Sequence, residues 1–328
     1  MAERNPYSAR LPSNEQREHL MVQVAKLYYD LDRTQAEIAS ELCLTRWQVG
    51  KLLTEAKAVG IVKIEITPRA GRRTSLEVEL QHAFGIHEAI VVPTGDIEDP
   101  SLIIESVAQA AATYLVSLNP KPSLMGVSWG RTMAAVARAL PQAWSPDLHV
   151  VLVNGSAALH TTTTRNAAVA EEFAQSAGGR ATLLPVPAIV GSKSTRDALE
   201  QDPIIEKVRN LAEEAPVICF GMGGLTHQSV LLASGYLGDD DIARLRSLNS
   251  VGDILGRFVD GHGRIVDRAL DDRTVGLRLE ALKRKERVIG VVAGEDKHSI
   301  ALAALRAGYV SVLVTDEGTA RRILEETK

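Results

Sequence analysis

Apolar residues along this chain recur in two rhythms. Over residues 13–66 they fall three and four apart, as on one face of a helix, whereas from His87 onward they gather in short continuous runs separated by further helical stretches. The sharpest of the helical patterns is TQAEIASELCLTRWQVGKLLTEAKAVG, residues 34–60. Thr34 with Glu37, and Thr45 with Gln48, have the spacing of capping boxes, so helices are predicted from Gln35 and from just after Thr45. Ile38, Ala39 and Leu42 give the first its apolar face, Cys43 and Leu44 the turn, and Val49, Leu52, Leu53 and Ala56 the stripe of the second. Ser13 with Gln16 repeats the capping spacing, and the helix it opens puts Leu20, Val24, Leu27 and Leu31 on one side. Gly60 ends the last helix, and residues 61–66 (IVKIEI) alternate as a half-buried strand does, which suits a wing. The sum is a winged helix-turn-helix.

The second rhythm is βαβ. AIVV from Ala89, SLMGV from Ser123, HVVLVN from His149, ATLLPV from Ala181, VICFG from Val217, RVIGVVA from Arg287 and VSVLVTD from Val310 read as strands. Helical patterns alternate with them at 100–118, after Arg131, at 165–177, between 194 and 215, and from His298. Strands this continuously apolar are buried on both faces, so a mostly parallel, doubly wound α/β sheet is predicted. Residues 252–267 (GDILGRFVDGHGRIVD) read as a hairpin turned by Gly261-His262-Gly263. Between the two rhythms, PRAGRRT at 68–74 is a linker whose arginines lie near bound DNA, or else a solvated hinge. Leu76, Leu80, Ala83 and Phe84 then form a helical stripe ended by Gly85, either a contact between protomers or the first helix of the next domain. The predicted domains are 1–67, a linker and connecting helix at 68–86, and 87–328.

Composition sharpens this in two ways. A chain of 328 residues, 45% hydrophobic, has material for a large core. Its net charge of −4 hides an asymmetry, because residues 1–73 carry 12 Lys+Arg against 9 Asp+Glu, leaving 25 against 32 for the rest. The helix-turn-helix part is therefore the positive part, by a small margin that limits phosphate contacts per protomer and calls for several copies on repeated half-sites. Two cysteines, Cys43 and Cys219, without metal-ligand spacing, predict neither a disulfide framework nor a metal site. The amino terminus is polar, and no apolar run approaches the ~20 residues of a membrane helix, so a cytoplasmic protein is expected.

Candidate chemistry follows from the two parts. The outward face of the second helix of the motif carries Arg46, Trp47, Gln48, Gly50 and Lys51, side chains for phosphates and base edges of double-stranded DNA, with Thr34 and Thr45 at the helix starts. In the sheet, ligands are expected where strands end and helices begin. Residues 126–132 (GVSWGRT) run from a strand through a small-residue loop into a helix, placing Ser128, Trp129, Gly130, Arg131 and Thr132 where free amides receive an anion, or else simply making a tight connection. Asn154-Gly155, Gly221 and Gly223 in GMGG, and Lys297 in GEDK are further glycine-marked strand ends.

Taken together, the helix-turn-helix, GVSWGRT, GMGG, GDILGRF, GEDK and the closing VLVTDEGTA resemble the SorC family of sugar-responsive bacterial transcription regulators over nearly the whole chain. The resemblance implies an effector domain similar to glucosamine-6-phosphate deaminase and ribose-5-phosphate isomerase, no cofactor beyond a sugar or sugar-phosphate effector, operator DNA as partner, and a tetramer of two dimers. By the motif match, the effector's anionic group would meet Ser128, Gly130, Arg131 and Thr132, with Arg165, Asp253 and Lys297 nearby. Asp253 reads equally well as a helix N-cap, and Lys297 as a solvated lysine at a helix start. Trp47 and Gly50 depart from the smaller, hydroxylated residues common in relatives. Two other functions fit the pattern, a sugar-phosphate isomerase or deaminase with an accessory DNA-binding domain, and a constitutive DNA binder whose second domain only oligomerises. For the enzyme, Asp253, Asp260, Asp267 and His262 assemble no acid–base constellation, so no catalytic residue is assigned.

Overall fold

Two of the three predicted capping boxes form, and Ser13 of the third lies outside the described residues. In the computed structural model, which describes residues 14–63, 71–95, 97, 99–157, 166–226 and 229–327, the first unit holds α1 (Asn14–Tyr29), α2 (Gln35–Glu41) and α3 (Arg46–Ala58). Thr34 and Thr45 stand at the N-caps of α2 and α3 in extended backbone, each accepting the amide three residues on while Glu37 and Gln48 reach back. Val24, Ile38, Val49 and Ala56 are wholly inaccessible and pack with Met21, Leu52 and Leu53 into one core. Of the stripe expected on α1, Val24 is buried and Leu20 and Leu27 pack against the core, with Met21 and Ala25 buried beside them, whereas Leu31 lies past the helix end and is 62% exposed. Arg17 clamps Glu55 bidentately, at 2.8–3.0 Å, tying α1 to α3. Residues 61–63 bend instead of forming a strand, because the Val62 amide turns back to the Ala56 carbonyl. The remainder of the predicted wing, 64–66, lies outside the described residues.

The chain divides into two compact units, residues 1–68 and 69–328. The second opens with α4 (Thr74–Phe84) and β1 (Glu88–Val92), followed by α5 (Pro100–Ser117), β2 (Leu124–Val127), α6 (Arg131–Ala139), β3 (His149–Leu152), α7 (Asn166–Ala177), β4 (Arg180–Thr182), α8 (Lys193–Glu200), α9 (Pro203–Glu214) and β5 (Val217–Gly224). Then come α10 (Val230–Ala233), α11 (Asp239–Ser247), β6 (Gly252–Ile254), β7 (Arg257–Val259), α12 (Arg268–Asp271) and α13 (Leu279–Leu282). The unit closes with β8 (Arg287–Val291), α14 (His298–Arg306), β9 (Val312–Asp316) and α15 (Glu317–Glu325).

Among the described residues the main sheet runs β1-β9-β8-β5-β2-β3-β4, all neighbours parallel. Its strands alternate between two cores: on β5, Val217 and Cys219 face one, Ile218, Phe220 and Met222 the other. Helices α5, α6 and α7 cover the first face, and α4, α9, α14 and α15 the second. This two-sided burial is why the strands read as unbroken apolar runs. Helix α4 belongs to this unit, with Leu76 and Leu80 in the core and Glu77 buried to accept the Val91 amide. Two of the linker arginines are occupied: Arg72 donates to Glu77 at 2.8 Å and to the Ala89 carbonyl, and Arg73 to Glu317 at 2.7 Å, while Arg69 lies outside the described residues.

Over residues 252–267 the chain turns twice, once at the expected glycines, across which Val259 and Ile265 pair antiparallel, and once before them. Leu255 and Gly256, at φ 55° and 80°, join β6 to β7 in a two-residue turn of the I′ kind. The Asp253 carboxylate closes it by accepting the Gly256 amide at 2.9 Å. Gly261-His262-Gly263 forms the next loop, folded on Asp260, which accepts the amides of His262 and Arg264. The hairpin continues β5 in antiparallel register, Gly223 opposite Asp253.

Candidate functional site

Strand order reverses between β2 and β5. From β2 the chain winds outward through β3 and β4, and from β5 it winds the other way through β8 and β9. The crevice beyond the carboxyl ends of strands at such a reversal is the ligand site of open α/β sheets. An open-mouthed cavity of about 650 Å3, solvent at its mouth included, lies there.

Ser128, Trp129 and Gly130 enter the cavity from the end of β2, and Arg131 and Thr132 from the first turn of α6. Asn154 comes from just beyond β3, Gly221 and Gly223 from β5, Asp253 from β6, and Lys297 from the 3-10 turn Glu295–Lys297 ahead of α14. Gly130 has φ 131°, a conformation glycine adopts readily, and no side chain caps α6, so the first amides of that helix form an anion-receiving end. The Ser128 hydroxyl accepts the Gly221 amide at 3.3 Å, tying the β2 loop to β5 across the reversal. Trp129 is a wall, its indole N–H donating to the Gly155 carbonyl at 2.8 Å and its ring stacked 6.4 Å from that of Tyr236. Gly155 itself stands behind that wall rather than on the cavity. Arg165 lies outside the described residues.

Two charged side chains of the cavity are Lys297, buried, and Asp253, half-buried. Burial depresses the Lys297 ammonium below the ordinary lysine range; Asp296, Asp316 and Asp253 oppose that, and Arg131 adds to it. Burial also pushes the Asp253 carboxyl up to about 6, against the Gly256 amide and Lys297, which favour its ionised form. Asp253 is no helix cap, and Lys297 is 7% exposed rather than solvated. A Cβ at Gly223 would lie 1.9 Å from Asp253 Oδ1, so that glycine makes room for the carboxylate. Asn154 lines the cavity, is 3% exposed, and its Oδ1 has no hydrogen-bond partner among the described residues. Leu255, Gly256, Thr226, Ser229 and Asp296 line the space as well. The first two lay inside GDILGRF and Asp296 inside GEDK, whereas Thr226 and Ser229 carry no signal beyond following GMGG.

In the first unit, Arg46, Trp47 and Lys51 share the exposed face of α3, with Gly50 and Thr54 beside them. Thr34 and Thr45 are engaged in the caps, and Gln48 Oε1 accepts the Thr45 amide at 2.7 Å, leaving the Gln48 amide nitrogen for other partners.

A family model described as a sugar-binding domain matches residues 69–325. The deoxyribonucleoside regulator of Bacillus subtilis is 30% identical over 95% of this chain and 99% of its own length. The chain belongs to the SorC family of transcription regulators. The sorbitol operon regulator of Klebsiella pneumoniae is 29% identical over 93% of this chain and 98% of its own. The crystal structure of full-length SorC from that organism superposes with a TM-score of 0.71 at 27% identity, over 96% of this chain and all of the other. This SorC-family chain is accordingly a transcription regulator. Among its described residues no helix is long and apolar enough to cross a membrane, and no cluster of three or more His, Cys, Asp and Glu is arranged to hold a metal ion.

Proposed function

We propose that the cavity between β2 and β5 binds a phosphorylated sugar or polyol, and that this effector governs how α3 holds operator DNA upstream of carbohydrate-utilisation genes. The observation that carries the reading is Lys297, a buried cation facing the uncapped start of α6 with Arg131 beside it. A phosphate dianion there meets helix amides and two charged donors, the arrangement in which charge-assisted hydrogen bonds are strongest. The carboxylate of Asp253 and the Oδ1 of Asn154 accept hydrogen bonds from the sugar hydroxyls. The regulator acts in the cytoplasm as a repressor and a dimer of dimers; the small positive excess of residues 1–73 supports the multiple copies alone, since affinity then comes from linking them.

A thermal-shift panel of free pentoses, hexoses and polyols against their phosphates tests the reading. A ligand at about 100 times its Kd stabilises the fold by ~2.7 kcal/mol, which is a rise of roughly 5–11 °C for a domain of this size. Phosphates alone are expected to give it. A shift with free sugars only would reject the phosphate subsite.

On the DNA side, Arg46→Ala is expected to weaken operator binding by roughly 5- to 150-fold per protomer while leaving the melting temperature unchanged, because Arg46 is exposed. Gln48→Ala should weaken binding and also destabilise the first unit by about 1 kcal/mol, since it breaks the α3 capping box. Anisotropy at fixed salt, paired with denaturation, separates the two. Equal melting of both variants would show that the box contributes nothing.

A further inference from the structure

Trp47 is 71% exposed, at the second position of α3, and a tryptophan left in water on a short helix asks for a partner. Its neighbours are informative. The Lys51 ammonium stands 5.2 Å over the indole, one helical turn on, so one face of the ring is already covered by a cation. Gly50 lies three residues along, opening a shallow concavity between Trp47, Lys51, Arg46 and Gln35. Glycine weakens a helix interior relative to alanine, and packing among the described residues of the unit does not require one at this position. A Cβ at Gly50 would meet only Gln35 Oε1, at 3.6 Å, an ordinary contact. The missing side chain is therefore explained by something outside the unit.

We infer that Trp47 and Gly50 form an apolar notch that receives the 5-methyl group of a thymine in the major groove, with Lys51 fixed over the indole toward the neighbouring phosphate. The inference rests on reading α3 as the DNA-contacting helix. A base is favoured over a protein surface because the notch is flanked by two cations, Arg46 and Lys51, and opens near the start of the helix, the end from which such helices reach base edges. Thymine is favoured among bases because its methyl is the apolar feature of the major-groove edge, the one an aromatic side chain reads by contact. Hydrogen-bond readout is left to Arg46 and the Gln48 amide.

The test uses the full-length protein and the sites it enriches from a random duplex library. In an enriched site each thymine is replaced singly by uracil, which removes the methyl and nothing else, and affinity is measured at fixed salt for wild type, Trp47→Ala and Gly50→Ala. Wild type is expected to lose about fourfold at one thymine per half-site, the worth of one buried carbon. Trp47→Ala should bind the thymine and uracil duplexes alike, and Gly50→Ala should bind the thymine duplex more weakly while melting no lower than wild type. Indifference of the wild type to every thymine methyl, or discrimination surviving in Trp47→Ala, would overturn the notch. If instead no site is enriched, or Arg46→Ala and Trp47→Ala both bind enriched DNA as wild type does, the reading of α3 itself fails and the notch with it.

Discussion

Arg257→Ala should melt the second unit roughly 6–20 °C below wild type. Arg257 is 2% exposed and sits at the start of β7. Its Nε donates to the Leu277 carbonyl at 3.2 Å and one guanidinium nitrogen to the carbonyls of Thr274 and Gly276 at 3.3 and 3.2 Å. The remaining nitrogen meets the Asp271 carboxylate and backbone carbonyl. One side chain thus straps the irregular stretch 271–277 to the hairpin. Deleting it leaves a half-buried carboxylate without its cation and several carbonyls without donors, the situation in which breaking a buried pair costs about 3–5 kcal/mol. For a unit of this size 1 kcal/mol is roughly 2–4 °C. Gly276 also bridges Asn154, so the same variant should loosen the cavity wall and weaken effector binding. Arg257→Lys, one charge without the planar fork, should recover only part of the loss. Melting within about 2 °C of wild type, far under the range set by that size scaling, would mean the strap bears no load.

That arginine shows where sequence reading stops. GDILGRF stood out as a motif, but nothing in seven letters says that its arginine serves carbonyls about twenty positions downstream. What was legible is local. A capping box is complete within four residues, so Thr34–Glu37 and Thr45–Gln48 could be read directly. The two-faced burial of the sheet was legible because every strand carries it independently. The turn read at Gly261-His262-Gly263 forms, with Val259 and Ile265 paired antiparallel across it, whereas the tighter one at Leu255 and Gly256 was not legible because it depends on Asp253 closing it. That carboxylate is held there by pairing with β5, and Gly223 must lack a Cβ to admit it. The burial of Lys297 was hidden for a related reason: GEDK is a run of charges that reads as an exposed loop, and only the reversal of strand order folds it inward. Leu31 fits an i, i+3, i+4 stripe on paper, but α1 has already ended at Tyr29.

Lys297→Met is expected to lower affinity for a phosphorylated effector by about thirtyfold or more, while leaving the much weaker affinity for the free sugar nearly unchanged. Truncating one member of a buried, hydrogen-bonded charge pair costs 2–5 kcal/mol, and about 1.4 kcal/mol is a factor of ten. In the empty cavity Lys297 is held against burial and the repulsion of Arg131 by Asp296, Asp316 and Asp253. An arriving dianion adds to that support where the ammonium is most poorly solvated, so the gain in this contact exceeds that of an exposed lysine. Methionine keeps the length of the side chain and removes the charge. Its loss also withdraws the cation that favours ionised Asp253, so the carboxyl should titrate still higher than about 6 in the variant. Arg131→Ala, on an exposed side chain, should cost less. The measurement is calorimetric titration at one pH and salt with the phosphorylated and free forms of the ligand that the panel identifies. An unchanged ratio of the two affinities in Lys297→Met would remove Lys297 from the phosphate subsite, whatever the absolute loss, because a general disturbance of the cavity weakens both forms together and only a lost charge contact separates them.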